Sequence, residues 1–116
     1  MKGGSRMAKT QKNPRFTFKN GRGVKYEVLF RKPNSKYYGN ADGICASPSE
    51  DHPRIHINPN LTSQSELNTA IHEMAHAFFW DKPETEILKY ANAVSRFLYT
   101  ECGWRKAGGG WKNKKK

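Results

Sequence analysis

Cysteine is nearly absent from this chain. Two in 116 residues cannot build a disulfide framework, which takes four or more in a short secreted domain. No apolar run approaches the ~20 residues that a membrane-spanning helix needs, so no membrane partner is expected. The first residues are polar and basic without an apolar stretch, which predicts no secretory leader and a cytoplasmic protein. Hydrophobic residues are scarce as well, at 35%. A chain of this length and composition supports one small domain with one modest core. No internal repeat is present, and no C-x-x-C pair exists to hold a structural zinc ion. The two thiols, Cys45 and Cys102, read as free and buried, as in a reducing compartment.

Acidic residues are missing from both ends. Residues 1–25 carry eight Lys and Arg and no acid, and residues 105–116 carry six and no acid, within a formal net charge of +11. The stretch between them is slightly acidic. Residues 1–14 therefore read as a basic disordered tail, 15–104 as the folded domain and 105–116 as a second basic tail. Like-charge blocks of this kind are solvated tails in the plainer reading. They also supply a surface for nucleic acid or another polyanion.

Alternating apolar positions predict strands. Phe16 and Phe18, then Val24, Tyr26, Val28 and Phe30, flank the turn Asn20-Gly21-Arg22-Gly23, giving a hairpin over 15–19 and 24–31. Residues 32–36 read as a loop and Asn40 to Gly43 as a turn. Ile44-Cys45-Ala46 is a short strand candidate. Arg54 to Asn58 also alternates; Pro53 and Pro59 bound it and place it at a sheet edge. A helix follows over 64–80, with Ser63 as N-cap and Glu66 closing a capping box. Its apolar positions are Leu67, Ala70, Ile71, Met74 and Phe78. A second helix over 83–101 starts at Asp81 as N-cap with Pro83 in the first turn, and the short connection requires an antiparallel pair. The fold class is α/β (α+β): a small sheet, one central helix and an antiparallel second helix.

The first helix carries His72-Glu73-Met74-Ala75-His76, an H-E-x-x-H pattern. Residues four apart share a helix face, so both imidazoles reach one metal ion. Neutral imidazole suits Zn²⁺. Glu73, beside the first ligand, is placed to act as general base on an activated water. With 4 His in the chain, a shuffled sequence would show this pattern roughly once in a hundred times, so chance is a weak rival. A catalytic zinc site takes three protein ligands, and no histidine follows His76. The third ligand is then a downstream carboxylate. Asp81 reads as a helix cap and Glu101 lies too far along the second helix. Glu84 and Glu86 remain, one on the packed face and one deeper along the pair, and spacing does not separate them.

The stretch from Ile55-His56-Ile57-Asn58-Pro59-Asn60-Leu61 through Ile71-His72-Glu73-Met74-Ala75-His76-Ala77 resembles the zincin metallopeptidases. It is similar in particular to SprT-like proteins and to short zinc metallopeptidases of phages and bacteria. The likeness covers about residues 43–101. It implies a twisted sheet, an active-site helix, and a protein or peptide substrate paired to the sheet edge. It also implies a host-cytoplasmic setting for a phage protein. SprT-like proteins bring a third histidine, which this chain lacks; in ligand logic it stands nearer glutamate-type zincins such as the ImmA/IrrE-like group. An edge at Arg54–Asn58 would bind an extended peptide by strand addition, making His56 and Ile57 candidate substrate contacts. Tyr37, Tyr38 and Tyr90 read as packing residues, and Phe78, Phe79 and Trp80 as core and cleft wall. The expected function is zinc-dependent peptide hydrolysis by a monomer. The alternatives are a polyanion-associated protein with a structural zinc site, or a peptidase brought by its tails to nucleic-acid-bound proteins.

Overall fold

The computed structural model describes residues 16–107. The expected N-terminal tail and most of the C-terminal tail lie outside the described residues. Eight elements follow in order: β1 (Phe16–Lys19), β2 (Lys25–Leu29), α1 (Ser35–Tyr38), β3 (Gly43–Cys45), β4 (Arg54–Ile57), α2 (Ser63–Phe78), α3 (Glu84–Arg96) and a π-helical turn, Phe97–Glu101. The architecture is the expected mixed α/β one.

β1 and β2 form the predicted hairpin, with Phe16 opposite Val28 and Phe18 opposite Tyr26. Asn20 organises its turn. The Asn20 side-chain oxygen accepts from the backbone N–H groups of Arg22 and Val24, each at 2.9 Å, and its amide donates 3.2 Å to the Ala77 carbonyl near the end of α2. One buried residue thus ties the hairpin to the helix.

The strand order is β1-β2-β4-β3. β4 runs parallel to β2, with Val28 opposite Ile55, and antiparallel to β3, with Ile44 opposite His56. This corrects the expectation that Arg54–Asn58 forms an edge. β4 is interior, and β1 and β3 are the edges. The prolines lie just outside the ladder: the Pro53 carbonyl accepts from Glu27 N–H at 3.1 Å, and Pro59 follows the strand. Neither removes a ladder hydrogen bond, so neither bars a central position.

Tyr26, Val28, Ile55 and Ile57 form the buried face of the sheet, with Ala77 of α2 against them and Ala70 and Met74 at the margin. Burying each isoleucine contributes about 1.5–3 kcal/mol. The Tyr26 hydroxyl donates to the Ala46 carbonyl at 2.9 Å, and burial pushes its pKa up. α3 closes on α2 through Ile87 and Ala91, both buried. Asn68 on α2 donates to Asn92 Oδ1 at 2.8 Å and to Ser95 Oγ at 3.1 Å on α3, fixing the register of the pair.

Both helix starts differ from the sequence reading. Thr62 caps α2, its hydroxyl accepting from Ser65 N–H at 3.3 Å. Pro83 precedes α3 without a side-chain cap, so neither Asp81 nor Glu84 is spent on capping. The residue expected to close the capping box, Glu66, is buried instead, and Lys106 Nζ lies 2.9 Å from its Oε1. Lys106 also donates to the carbonyls of Leu61 at 2.6 Å and Pro59 at 3.3 Å, and its backbone N–H donates to Ser63 Oγ at 3.1 Å. Composition assigns Lys106 to the basic tail, yet it is part of the folded body. Two more readings change. α1, capped by Asn34, replaces part of a predicted loop, and Cys102 is exposed while Cys45 is half-buried.

Removing one partner of a buried ion pair typically costs about 3–5 kcal/mol, because the other charge stays buried. Lys106→Met is therefore expected to lower unfolding free energy by that order in urea titration. Adding Glu66→Leu should recover much of the loss; no recovery would contradict the electrostatic origin.

Candidate metal centre

α2 projects His72 and His76 from one face, one helical turn apart. The two Nε2 atoms are 3.2 Å from each other. Glu84, the first residue of α3, faces both: Oε1 is 2.8 Å from His76 Nε2 and Oε2 is 3.1 Å from His72 Nε2. The histidine side chains are mostly buried and Glu84 is largely exposed. Of the two carboxylates left open by the spacing, Glu84 lies in this cluster. Glu86, two residues on and about 200° around the helix, is exposed and outside it.

These residues fit a divalent ion. A tetrahedral zinc ion with bonds of about 2.0–2.1 Å sets its ligand atoms about 3.3 Å apart. The two Nε2 atoms, 3.2 Å apart, match one edge of such a tetrahedron, and the Glu84 carboxylate presents one oxygen to each of them, at 2.8 and 3.1 Å. His72, His76 and Glu84 are the group among the described residues able to hold a metal. Burial pushes the His72 pKa down, against the pull of Glu84. That keeps the ring in the neutral, ligating form.

Glu73 lies on the same helix but outside the cluster. It is 8% exposed. Burial first, and the neighbouring Glu84 charge second, push its pKa up from 4.5 to about 7. Its carboxylate packs beneath the start of β3. A Cβ on Gly43 would lie 2.9 Å from Glu73 Cγ, 3.0 Å from Glu73 Oε2 and 2.6 Å from Thr69 Cγ2. In the sequence Gly43 closes the turn signal from Asn40, and a glycine opening a strand also marks close backbone approach.

His56 and Ile57, expected to touch substrate, are elsewhere. Ile57 is fully buried in the core. His56, its neighbour in a strand, points to the opposite face of the sheet from α2, where burial and the charges of Arg31 and Arg54 push its pKa down. β4 is paired on both sides, so no peptide can add to it. Of the two edge strands, β1 and β3, it is β3 that lies against α2 at Thr69 and Glu73. Asp42 and Ala46 bond to β4, through Asn58 N–H to Asp42 O at 2.8 Å and Ala46 N–H to Arg54 O at 3.0 Å. By the alternation of an antiparallel ladder, the backbone groups of Gly43 and Cys45 face outward. Tyr37, Tyr38 and Tyr90 are exposed, and so are Phe78, Phe79 and Trp80, which are not core but wall the recess between the β1–β2 turn and the end of α2. Met74, Phe79 and Tyr90 line a recess of about 380 Å³, and Arg22, Trp80 and Lys82 another of about 450 Å³. Neither is lined by the metal cluster, which opens to solvent at Glu84.

A two-histidine, one-glutamate cluster with a buried glutamate on the helix between the histidines is the arrangement of a zincin-like, metallopeptidase-related domain. Family comparison agrees: residues 24–101 match the IrrE N-terminal-like domain, Peptidase_M78. The chain belongs to that family. Comparison with curated proteins gave no match, and comparison with solved structures gave none. No helix among the described residues is long and apolar enough to cross a membrane.

The raised Glu73 pKa has a thermodynamic consequence in metal-free protein. The unfolded chain releases this proton near pH 4.5 and the folded chain near 7, so folded stability falls as pH rises through that window. Glu73→Gln removes the penalty. Measured in chelator, its stability relative to wild type should grow between pH 4 and pH 8 by about 3 kcal/mol. A pH-independent difference would show that Glu73 is not buried as described.

Proposed function

We propose that this protein is a zinc-dependent peptidase in which His72, His76 and Glu84 hold the metal and Glu73 is the general base. The observation that carries this reading is the convergence of two imidazole nitrogens and the Glu84 carboxylate, with the buried Glu73 carboxyl beside them. Zinc held there supplies a Lewis acid that polarises the scissile carbonyl and acidifies water. Glu73 takes the proton of the attacking water and returns it to the leaving amine. A group titrating near neutrality is suited to both transfers. His72 and His76 supply the nitrogen donors, and Glu84 contributes negative charge that holds the cation.

The substrate is an extended protein or peptide segment laid along the free edge of β3, where the outward N–H and C=O groups of Gly43 and Cys45 offer main-chain hydrogen bonds. The cluster lines neither of the recesses beside it, so recognition rests on the backbone more than on one enclosed side chain. Association with nucleic acid is a second proposal. Residues 1–15 and 108–116 hold nine Lys and Arg and no acid, and the described body is close to charge balance, so polyanion affinity belongs to the ends. Free thiols fit a reducing, cytoplasmic setting.

Zinc analysis of purified protein and hydrolysis of a fluorogenic peptide library test the reading together. Wild type should hold one zinc per chain and cleave; His72→Ala and Glu84→Ala should lose the metal, while Glu86→Ala keeps it. Glu73→Gln should retain zinc and lose about 10²–10⁴-fold in turnover, the range that general base catalysis contributes. Equal zinc in wild type and His72→Ala would remove the site, and full activity in Glu73→Gln would remove the base.

A further inference from the structure

The Glu73 carboxylate accepts no hydrogen bond from any described residue, so packing alone sets where it sits. The packing partner is an empty place. β3 approaches α2 so closely at Gly43 that a single added carbon would come within 2.6 Å of Thr69 Cγ2, 2.9 Å of Glu73 Cγ and 3.0 Å of Glu73 Oε2. Real Cβ atoms do not approach this closely, and neither neighbour yields freely. Thr69 is β-branched and stiff on a helix, and Glu73 is packed within the interior. The position is paired with Ile57, whose side chain is fully buried, so the strand is held alongside the core.

We propose that Gly43 is a positioning residue for the peptidase reaction: its missing side chain is the seat of the Glu73 carboxylate, placing the base beneath the edge along which the substrate lies. The inference rests on the reading of Glu73 as general base. It assigns one residue two tasks, since the same Gly43 presents its outward backbone groups on the free edge. Substrate and base are then referenced to the same peptide unit. The metal ligands are not part of the seat: none of the three atoms nearest the added carbon belongs to His72, His76 or Glu84.

The test compares Gly43→Ala with Gly43→Ala/Thr69→Ser. The second change deletes the methyl group behind the shortest contact and leaves the conflict with Glu73. The double variant is expected to fold cooperatively, with a modest loss of melting temperature, and to hold stoichiometric zinc. Its kcat should fall about 10²-fold, the cost of a misplacement near 1 Å, with KM unchanged. The carbon-13 shift of the Glu73 side-chain carboxyl should move in both variants. Wild-type kcat in the double variant would overturn the proposal, as the glycine would then serve only Thr69. Loss of zinc or of folding in the double variant would overturn it too, because the position would then serve packing at large. If wild type itself hydrolyses nothing, the peptidase reading fails, and the carboxyl shift still decides the seat: moved in the zinc-loaded double variant it stands, unmoved it falls.

Discussion

The metal cluster depends on a turn of five residues. α2 ends at Phe78 and α3 begins at Glu84. Within the turn, Phe79 N–H bonds back to Ala75 O at 2.8 Å and Lys82 N–H to Phe79 O at 2.9 Å. Pro83 then fixes the entry to α3. A chain that reverses in so little length has one way to pack, with its helices antiparallel. That places the first residue of α3 level with His72 and His76 at the end of α2. One inserted residue would shift Glu84 by about 1.5 Å and rotate it by about 100°, well beyond the few tenths of an ångström that a metal bond tolerates. The contacts of Asn68 to Asn92 and Ser95 hold the same register lower in the helix pair.

α2 therefore faces two different partners. Its histidine side looks to α3, which supplies charge and a third donor. Its Thr69 and Glu73 side looks to β3, which supplies steric confinement and an open backbone edge. Ala75 and Ala77 are nearly inaccessible, and side chains this small allow the helix to lie close to what it covers. The division explains why Glu73 and Glu84 differ so much in exposure while remaining near enough for one charge to raise the other's pKa.

Local spacing made much of this legible in advance. The hairpin, the two helices and the H-E-x-x-H face are all periods of two or 3.6 within a few residues. What spacing does not encode is where distant segments meet. The parallel pairing of β2 with β4 joins residues 27–29 to 54–56 across α1 and β3, and nothing local announces it; two prolines pointed to an edge because their positions just outside the ladder could not be read. Glu84 and Glu86 are both acids in a first helical turn, and periodicity gives their relative angle without the absolute rotation of the helix. Lys106 was hidden by company, as one cation in a basic run, although its ammonium reaches the buried Glu66. Gly43 looked like a turn residue because a glycine's missing side chain has meaning only beside the neighbour that fills the space.

The Lys106 contact carries a consequence for the order of assembly. It joins position 106 to position 66 and to the loop at 59–63, and both helices lie inside the loop so closed. Contacts at such separation form only after the intervening chain has lost its freedom. During synthesis, a chain emerging residue by residue holds the complete H-E-x-x-H segment long before position 106 leaves the ribosome. Until then Glu66 lacks this buried cation, and the start of α2 lacks the strap that fastens it to the loop after β4. The helix that carries the His72 and His76 cluster thus settles fully only when position 106 arrives, which delays the complete cluster until the surrounding fold is closed.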